Sequence, residues 1–489
     1  MISFSVLREG PKIRKAVRAA SLVAMLATAD RSLLAQSSAP VGSMITPRAA
    51  HTATLLSNGM VLIAGGVKAA FPWPDIVLSS AELYDPFSRS FTRTGDMSTA
   101  RAGHTATLLA DGRVLIVGGS ENRSAEIYDP ATGMFSPTAV PPPEVSWLGA
   151  AVRLWDGRVF VAASPTAQLY DPLTGTFGPA AAYAFPAPTF MASTVLLAGG
   201  RVLATGETVP GVPPRGISGW SEVYDPVSNS FSATGDMNFW NSVYTATLLP
   251  SGRVLYVGSE EGDGIPADVE IFDPAQSAFS RAARALFNHE FAAANLLPDG
   301  TVLITGGQVP GGNGQPLSEV YSPANGMFSL SVDLITPRHQ QTSTVLADGT
   351  VLIAGGYFLW PSATSSAEVY RPAVSVPAPS LFSMSPDGRG QGAIWHASTG
   401  QLASVEAPAR AGDILSMYTT TLIATGVIPP QVSIGGRLAE TLFFGNAPGY
   451  PGFNQVNVLV PNGIAPGPTV SVRLSYLGRF SNEVTVAVQ

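Results

Sequence analysis

At 489 residues the chain is too long for a single ordinary core, so we expect one large domain and a smaller one. Its 45% hydrophobic content excludes a disordered chain, while 50 Gly, 41 Pro and only 12% charged residues are typical of an all-β protein with many turns. The absence of Cys excludes a disulfide framework, a thiolate metal site and a cysteine nucleophile, and the net charge of −7 argues against nucleic acid as a partner.

The N-terminus predicts export. A basic stretch is followed by the apolar run AASLVAMLATA over residues 19–29, which ends in the small-residue pattern Ala27-Thr28-Ala29. This order is typical of a secretory signal peptide, and the run is too short to span a bilayer. We therefore expect residues 1–35 to hold a signal peptide and a short mature tail, with no transmembrane helix in the mature chain and a secreted or cell-surface location. The alternative is a disordered or interfacial N-terminus.

One sequence pattern recurs along most of the chain. Residues 47–66 (PRAAHTATLLSNGMVLIAGG), 100–119 (ARAGHTATLLADGRVLIVGG) and 337–356 (PRHQQTSTVLADGTVLIAGG) are near copies. Alternating residues stand before a central turn and apolar residues after it, which predicts two strands joined by a two-residue hairpin, the second strand being buried on both sides. Seven such turns can be identified by their glycines: Gly59, Gly112, Gly157, Gly200, Gly252, Gly300 and Gly349.

A second turn follows in every copy. Its motif is Tyr-Asp-Pro or a variant, in which Asp favours the start of a turn and Pro presets φ at the next position. The motif begins at Tyr84, Tyr128, Tyr170, Tyr224, Phe272, Tyr321 and Tyr370. Six of the copies continue with a Phe, which starts a further strand. Four antiparallel strands, repeated about every 50 residues, are the signature of a β-propeller blade.

With these motifs the chain resembles a Kelch-type β-propeller of the kind common in bacterial secreted proteins. The double glycine that closes the second strand carries the resemblance, at Gly65-Gly66, Gly118-Gly119, Gly306-Gly307 and Gly355-Gly356. The third, fourth and fifth copies depart from it, with Ala162-Ala163, Thr205-Gly206 and Gly258-Ser259. The resemblance implies an all-β chain with a seven-bladed propeller over residues 36–372.

The seventh copy lacks its last strand, because the residues after Tyr370-Arg371-Pro372 contain no Phe strand. Residues before the first copy resemble those before the second. We therefore expect an N-terminal strand near residues 39–46 to complete blade seven and close the ring, which removes exposed sheet edges.

The C-terminal residues follow another pattern. Residues 373–380 (AVSVPAPS) are typical of a linker, and residues 381–489 contain short alternating runs that predict a β-sandwich. The stretches VSIGGRLAETLFFG, FNQVNVLVPNG and SNEVTVAVQ resemble an immunoglobulin-like (IPT/TIG-like) module found in secreted proteins of soil bacteria. This resemblance implies an immunoglobulin-like β-sandwich in an extracellular context and nothing catalytic.

The polar residues that recur with the repeat favour a structural role. His51 and His104 share one register position, and a Glu precedes the Tyr-Asp-Pro motif by two residues in six copies. We expect the two histidines to bond between strands or blades, and Arg48, Arg101 and Arg338 to pair with the glutamates of their copies. His289 and His339 are out of register and lie in lead-in loops, where they can reach a face. The sequence indicates no catalytic residue and no metal site.

The loops between second and third strands vary most, and they should share one face with the loops that lead into each blade. The aromatic residues of these loops are the predicted ligand-binding set: Phe71, Trp73, Trp147, Trp220, Phe239, Trp240, Tyr357, Phe358 and Trp360. Such a surface can stack on sugar rings or bind a protein. The alternative is that these rings fold back over the blade ends.

We therefore predict an exported, non-enzymatic protein without a cofactor, which binds a protein or polysaccharide at the cell surface or outside the cell. One alternative is a carbohydrate-active enzyme, a lyase or hydrolase, with its site on the propeller face. Another is a purely structural surface protein. Galactose oxidase is a Kelch-like enzyme whose copper site uses a Tyr cross-linked to Cys. Because this chain has no Cys, copper radical oxidase chemistry is taken to be excluded.

Overall fold

The computed structural model describes residues 35–68, 76–120, 124–138, 150–163, 166–184, 190–207, 219–235, 237, 244–258, 266–359, 361–423 and 426–489. Over these ranges every regular element is a β-strand, which confirms the all-β prediction. The same ranges contain no helix long and apolar enough to cross a membrane. The predicted signal peptide lies outside the described residues.

The larger of two compact units is a seven-bladed propeller, as predicted. Its strands are β1 (Ser37–Pro40), β2 (Thr52–Leu55), β3 (Val61–Ala64), β4 (Val67–Lys68), β5 (Ile76–Val77), β6 (Ala81–Asp85), β7 (Ser90–Arg93), β8 (Thr105–Leu108), β9 (Val114–Val117), β10 (Ala125–Asp129), β11 (Met134–Pro137), β12 (Ala150–Arg153), β13 (Val159–Ala162), β14 (Gln168–Asp171), β15 (Thr176–Pro179), β16 (Phe190–Leu196), β17 (Val202–Glu207), β18 (Gly219–Asp225), β19 (Ser230–Ala233), β20 (Tyr244–Leu248), β21 (Val254–Gly258), β22 (Asp268–Asp273), β23 (Ala278–Arg281), β24 (Ala293–Leu296), β25 (Val302–Thr305), β26 (Gln308–Val309), β27 (Asn313–Gly314), β28 (Ser318–Ser322), β29 (Met327–Leu330), β30 (Thr342–Val345), β31 (Val351–Ala354), β32 (Tyr357–Leu359), β33 (Ser362–Ala363) and β34 (Ala367–Arg371).

Each blade is a four-stranded antiparallel sheet. The blades are β2-β3-β6-β7, β8-β9-β10-β11, β12-β13-β14-β15, β16-β17-β18-β19, β20-β21-β22-β23, β24-β25-β28-β29 and β30-β31-β34-β1. The first strands of neighbouring blades contact each other around the whole ring. In blade 7 the outermost strand is β1, which pairs with β34 from Ser37↔Arg371 to Pro40↔Glu368. The two ends of the repeat are thus joined by one sheet.

The Asp-Gly turns differ from the predicted two-residue hairpin. In blade 2 the amide of Leu109 donates to the carbonyl of Arg113 at 2.8 Å, and the amide of Gly112 donates to Leu109 at 3.1 Å. Of the three loop residues only Gly112 has a positive φ, of 92°. This is a three-residue loop that ends in a left-handed glycine. The Oδ1 of Asp111 adds a hydrogen bond to this turn, accepting the amide of Arg113 at 3.1 Å.

The predicted Asp-Pro turns are confirmed in blades 1 to 5. In each, the Asp side chain accepts the backbone amide two residues further on, as Asp129 does from Ala131 at 2.9 Å. The Tyr before this Asp stacks on the Phe that follows the turn. Tyr128 and Phe135 lie with ring centroids 4.8 Å apart, and their burial anchors the outer half of the blade.

The double glycines are explained by the packing between blades. A Cβ added to Gly65 in blade 1 would lie 2.5 Å from the carbonyl oxygen of Arg101 in blade 2, and φ there is +62°. Gly66 faces its own blade, where His51 Cβ would lie 2.8 Å from an added Cβ. Neither position has room for a side chain: the next blade fills the space at Gly65, and the lead-in loop of the same blade fills it at Gly66.

The smaller unit contains β35 (Ile394–His396), β36 (Ile414–Thr419), β37 (Gln431–Ile434), β38 (Arg437–Asn446), β39 (Asn454–Leu459), β40 (Gly467–Tyr476), β41 (Arg479–Phe480) and β42 (Val484–Val488). These strands form one curled sheet in the order β35-β36-β39-β38-β37-β40-β41, with β42 paired to β40. The apolar runs predicted as strands are strands. Their larger core includes Met417, Val458 and Leu474, and a smaller one includes Trp395 and Tyr418.

Candidate functional site

The two ends of the propeller carry different loops. Because the strands of a blade alternate in direction, the Asp-Gly and Asp-Pro turns lie at one end, which we call the turn face. The loops between second and third strands lie at the other end with the lead-in loops, and we call this the hairpin face. Among the described residues, three of those loops form extra hairpins, β4-β5 in blade 1, β26-β27 in blade 6 and β32-β33 in blade 7. Neighbouring hairpins contact each other, which gives this side of the hairpin face a folded surface.

Beneath this face the repeated arginines and glutamates are fully committed to the fold. In blade 1 the Arg48 guanidinium donates to Glu82 at 2.8 Å and to the carbonyl of Gly65 at 2.7 Å. Glu82 also accepts the backbone amides of Ile45 and Thr46 at 2.7 and 3.0 Å. Both charged side chains are buried. The glutamate therefore fixes the lead-in loop and neutralises the arginine, and it is not placed as an acid or base.

The same arrangement recurs in blade 2, with Arg101 and Glu126 at 3.0 Å, and in blade 7, with Arg338 and Glu368 at 2.9 Å. The predicted pairing is thus confirmed in all three blades. Blade 6 differs from the prediction, because His289 does not reach a face. Its ring is buried, with Nε2 2.7 Å from Glu319 and Nδ1 3.0 Å from the carbonyl of Gly306, so that it replaces the arginine.

A signal for this replacement was present in the sequence. His289 precedes Glu319 by 30 residues, the same separation as between Arg338 and Glu368. Alignment on the Asp-Gly turns gives the same result, because His289 stands 11 residues before Gly300 and Arg338 stands 11 residues before Gly349. The change of residue type from Arg to His hides the shared role. His339 does not reach a face either. It is fully buried under β32, where its ring lies 5.3 Å from that of Tyr357, and burial lowers its pKa to about 4.

His51 and His104 link neighbouring blades, which confirms their structural interpretation. His51 Nε2 lies 2.9 Å from the Thr342 hydroxyl in blade 7, and His104 Nε2 lies 2.9 Å from the Thr52 hydroxyl in blade 1. Burial lowers the pKa of His51 well below its usual range and that of His104 to about 3. Both rings are therefore neutral near pH 7.

This neutrality predicts acid sensitivity. In the unfolded chain His104 takes up a proton at about pH 6.5, whereas burial lowers its pKa in the folded protein to about 3. The stabilising contribution of the neutral ring is therefore lost as the pH falls between these values. We expect His104→Gln to lose about 2 kcal/mol less stability than the wild type on going from pH 7 to about pH 5. Urea unfolding at the two pH values measures this. Thr52→Val removes the hydrogen-bond partner and keeps the histidine, so this variant should lose as much stability between the two pH values as the wild type does. If His104→Gln and the wild type lost the same stability between the two pH values, burial of a neutral His104 would not explain the acid sensitivity.

The predicted ligand-binding aromatics divide into three groups. Phe71, Trp73, Trp147, Phe239, Trp240 and Trp360 lie outside the described residues. Trp220 and Tyr357 are buried inside the blades, 4% and 2% exposed, so neither presents a ring to the hairpin face. Trp220 packs edge-on against Tyr183 at 5.1 Å instead. Phe358 is 39% exposed on the hairpin of blade 7. For Phe358 and the six others, ligand binding stays a prediction.

An apolar surface was only partly anticipated on the hairpin face. Besides Phe358, the neighbouring Leu359 and Ile76 of the blade 1 hairpin are about half exposed, at 50% and 51%. Buried Val67 and Tyr357 share a small core below them with Ala49. The hairpins are thus held from beneath while three apolar side chains remain in solvent. Leu359 and Ile76 were missed because only aromatic residues were considered.

No protein-family model matches the chain, and no curated protein matches it. Among solved structures, the chain is similar in fold to a fungal alcohol oxidase of the AA5 family, determined in complex with copper. The alignment covers 93% of this chain and 100% of that one, with 16% sequence identity and a TM-score of 0.58. The likeness thus extends over both the propeller and the C-terminal sheet, and at this identity it concerns the fold.

This comparison overturns two predictions. The chain was expected to be a non-enzymatic binding protein, yet the fold that we regarded as a binding scaffold is, along nearly its whole length, that of an enzyme. The exclusion of copper oxidase chemistry was also wrong. The missing Cys removes one kind of ligand and cross-link, but Cu²⁺ is also bound by imidazole nitrogen and by oxygen ligands.

The described residues do not fit a copper site. No group of three or more His, Asp or Glu side chains within the described ranges is arranged to hold a metal ion. The four propeller histidines each bond to a neighbouring hydroxyl, carbonyl or carboxylate inside the wall. We therefore derive no chemical step through copper from these residues.

Proposed function

We propose that the chain is a carbohydrate-active enzyme that acts on a hydroxyl group of a sugar or related alcohol at the hairpin face. The observation that carries this proposal is the fold shared with an alcohol oxidase over both units of the chain. A propeller alone occurs with many functions, so the extension of the likeness through the C-terminal sheet is what favours the enzyme.

Oxidation is the reaction class that these observations favour over hydrolysis or elimination. A hydrolase or lyase needs carboxylates or other titratable groups that face the substrate. The repeated glutamates accept hydrogen bonds from backbone amides and pair with buried cations, so they do not face a substrate. They are Glu82, Glu126, Glu319 and Glu368. The resemblance in fold is to an enzyme that oxidises alcohols.

The apolar residues on the hairpin face are the proposed substrate platform. Aromatic rings suit sugars because the C–H face of a pyranose packs on a ring while its hydroxyls stay hydrated. Phe358 is exposed to the extent that such stacking requires, and the aromatic residues predicted beside it would extend the platform. The C-terminal immunoglobulin-like assignment, the Kelch assignment and export through the N-terminal signal remain part of this proposal, supported by the motifs quoted above.

To test the proposal, the full-length chain is incubated with a panel of oligosaccharides and simple alcohols, with and without added Cu²⁺. The masses of the products are then measured by mass spectrometry. With dissolved O₂ as the electron acceptor, the expected result is the loss of two hydrogens from the substrate, with formation of an aldehyde or ketone and one equivalent of H₂O₂. A shortened sugar would show that the reaction is hydrolysis or elimination and not oxidation. Unchanged substrates in every arm would contradict the enzyme proposal.

Phe358→Ala tests whether the site lies on the hairpin face. We expect the KM for a sugar substrate to rise about tenfold, because loss of one stacking contact costs about 1 kcal/mol or more of binding free energy. Phe87→Ala is the matched control, because Phe87 is 98% exposed at an Asp-Pro turn on the turn face. An equal effect of the two substitutions on KM would contradict the proposal that the substrate binds at the hairpin face.

A further inference from the structure

The buried histidine of blade 6 occupies the place of a permanent cation. Arg48, Arg101 and Arg338 fill this place in blades 1, 2 and 7, and each pairs with the glutamate of its blade. His289 and Glu319 do so in blade 6 with both side chains fully buried. Arginine stays charged at every pH that proteins tolerate, whereas histidine is the side chain whose charge changes near neutrality.

The hydrogen bonds assign the charged form to His289. Nδ1 lies 3.0 Å from the carbonyl oxygen of Gly306, which can only accept, so Nδ1 carries a proton. Nε2 lies 2.7 Å from Oε1 of Glu319. Glu319 accepts the backbone amides of Leu286 and Phe287 at 2.8 and 2.9 Å, as an ionised carboxylate does. Nε2 must then donate as well, and the ring is an imidazolium.

Few other charged groups surround this pair. Next to His289 in sequence is Glu290, which is buried and whose backbone bridges Gln308 of the blade 6 hairpin. On the side of blade 7, Arg338 is paired with Glu368, and His339 lies under β32. On the side of blade 5, Arg284 and Asp268 form an ion pair at 2.9 Å nearer the surface. Among the charged groups named here, Glu319 is the one within hydrogen-bond distance of the ring.

We propose that His289 and Glu319 form a pH-dependent lock on the junction between blades 5 and 6. The lead-in loop of blade 6 is held from both sides. Glu319 accepts the amides of Leu286 and Phe287, and the carbonyl of Phe287 accepts the amide of Ala267 in blade 5 at 2.8 Å. Protonated His289 keeps Glu319 in this position. Loss of the ring proton leaves a buried carboxylate without its cation, which loosens this loop while the arginine-locked blades are unaffected.

The direction of the effect follows from the hydrogen bonds. The lock requires both ring protons of His289, one donated to Gly306 and one to Glu319. It is therefore present while the ring is an imidazolium and is lost when rising pH removes one of these protons. The direction is opposite to that of His104, and it does not depend on the proposed enzymatic activity.

Hydrogen exchange of the full-length chain followed by mass spectrometry tests the lock, because the molecule contains its own control. The amides of Leu286 and Phe287 are held by Glu319, and those of Ser98 and Thr99 are held by Glu126 beside Arg101. After correction for intrinsic rates, we expect protection at 286–287 to fall about tenfold between about pH 6 and about pH 9, and protection at 98–99 to stay constant.

Two variants complete the test. His289→Arg should remove the pH dependence at 286–287, and His289→Gln should give low protection at both pH values. Equal pH dependence of the two loops in the wild type would overturn the lock. So would an unchanged pH dependence at 286–287 in His289→Gln, which also covers the case in which His289→Arg fails to fold.

Discussion

Arg101→Met is expected to destabilise the propeller by about 3–5 kcal/mol, because it leaves the buried charge of Glu126 without its partner. The Arg101 side chain is fully buried and also donates to the carbonyls of Gly118 and Ser124, at 2.8 and 2.6 Å. The Gly118 carbonyl would lose its donor in a buried place, and the Ser124 carbonyl would lose its donor in a partly buried one. Equilibrium urea unfolding, followed by fluorescence and circular dichroism together, measures the change.

Arg113→Met is the matched control. Arg113 also pairs with an aspartate in blade 2, Asp111, at 2.7 Å, but the two side chains are 39% and 36% exposed. Ion pairs in solvent contribute about 0–1 kcal/mol, so this substitution should shift the urea midpoint little. A comparable loss in the two variants would mean that burial of the Arg101 pair is not what stabilises the blade.

Gly65→Ala is expected to destabilise the propeller by at least about 3 kcal/mol. A left-handed residue with a side chain costs about 1–2 kcal/mol, and here the added Cβ would also lie 2.5 Å from the Arg101 carbonyl and 2.7 Å from His104 Cε1. Blades 1 and 2 would have to separate to admit it. Thermal and urea unfolding of the variant give the cost.

Gly157→Ala separates the backbone cost from the clash. Gly157 has a φ of +92°, yet an added Cβ there would meet nothing within 4 Å. We expect a loss of about 1–2 kcal/mol from the conformation alone. If Gly65→Ala were no worse than Gly157→Ala, the double glycine would be a backbone requirement and the close approach of the next blade would not explain it.

The propeller could be predicted from the sequence because its information is local and repeated. Asp-Gly and Asp-Pro turns bracket short β-prone runs, and the repetition of the pattern indicates blades. The pairing of Arg101 with Glu126 was also accessible, since both residues recur at fixed positions. These features depend on chemistry within one blade or between a blade and its own lead-in loop.

Features that depend on contacts between separate segments were not accessible in the same way. His289 stands at the position of Arg338 relative to the turn, but the change of residue type hides the shared role. The burial of Trp220 and Tyr357 depends on rings that belong to other segments. The three-residue turn was missed because an Asp-Gly pair does not by itself fix the length of a hairpin loop. Exposure of Phe358, Leu359 and Ile76 is likewise set by tertiary packing.

The function was less accessible than the fold, because the residues that recur are those that hold the ring together. Buried histidines, arginines and glutamates resemble catalytic sets in the sequence, whereas in the structure their polar atoms face each other and the backbone. Groups that act on a substrate must be sought among residues that do not repeat. The hairpin face, where the blades differ most, is where they are expected.

The repeated Arg and Glu residues form a buried, mutually dependent pair in each blade that carries both. A double-mutant cycle on Arg101→Met and Glu126→Gln measures this coupling directly from four urea unfolding curves. We predict a coupling energy of about 2–3 kcal/mol, with the double variant more stable than Arg101→Met alone. Additive effects, within about 0.5 kcal/mol, would contradict the claim.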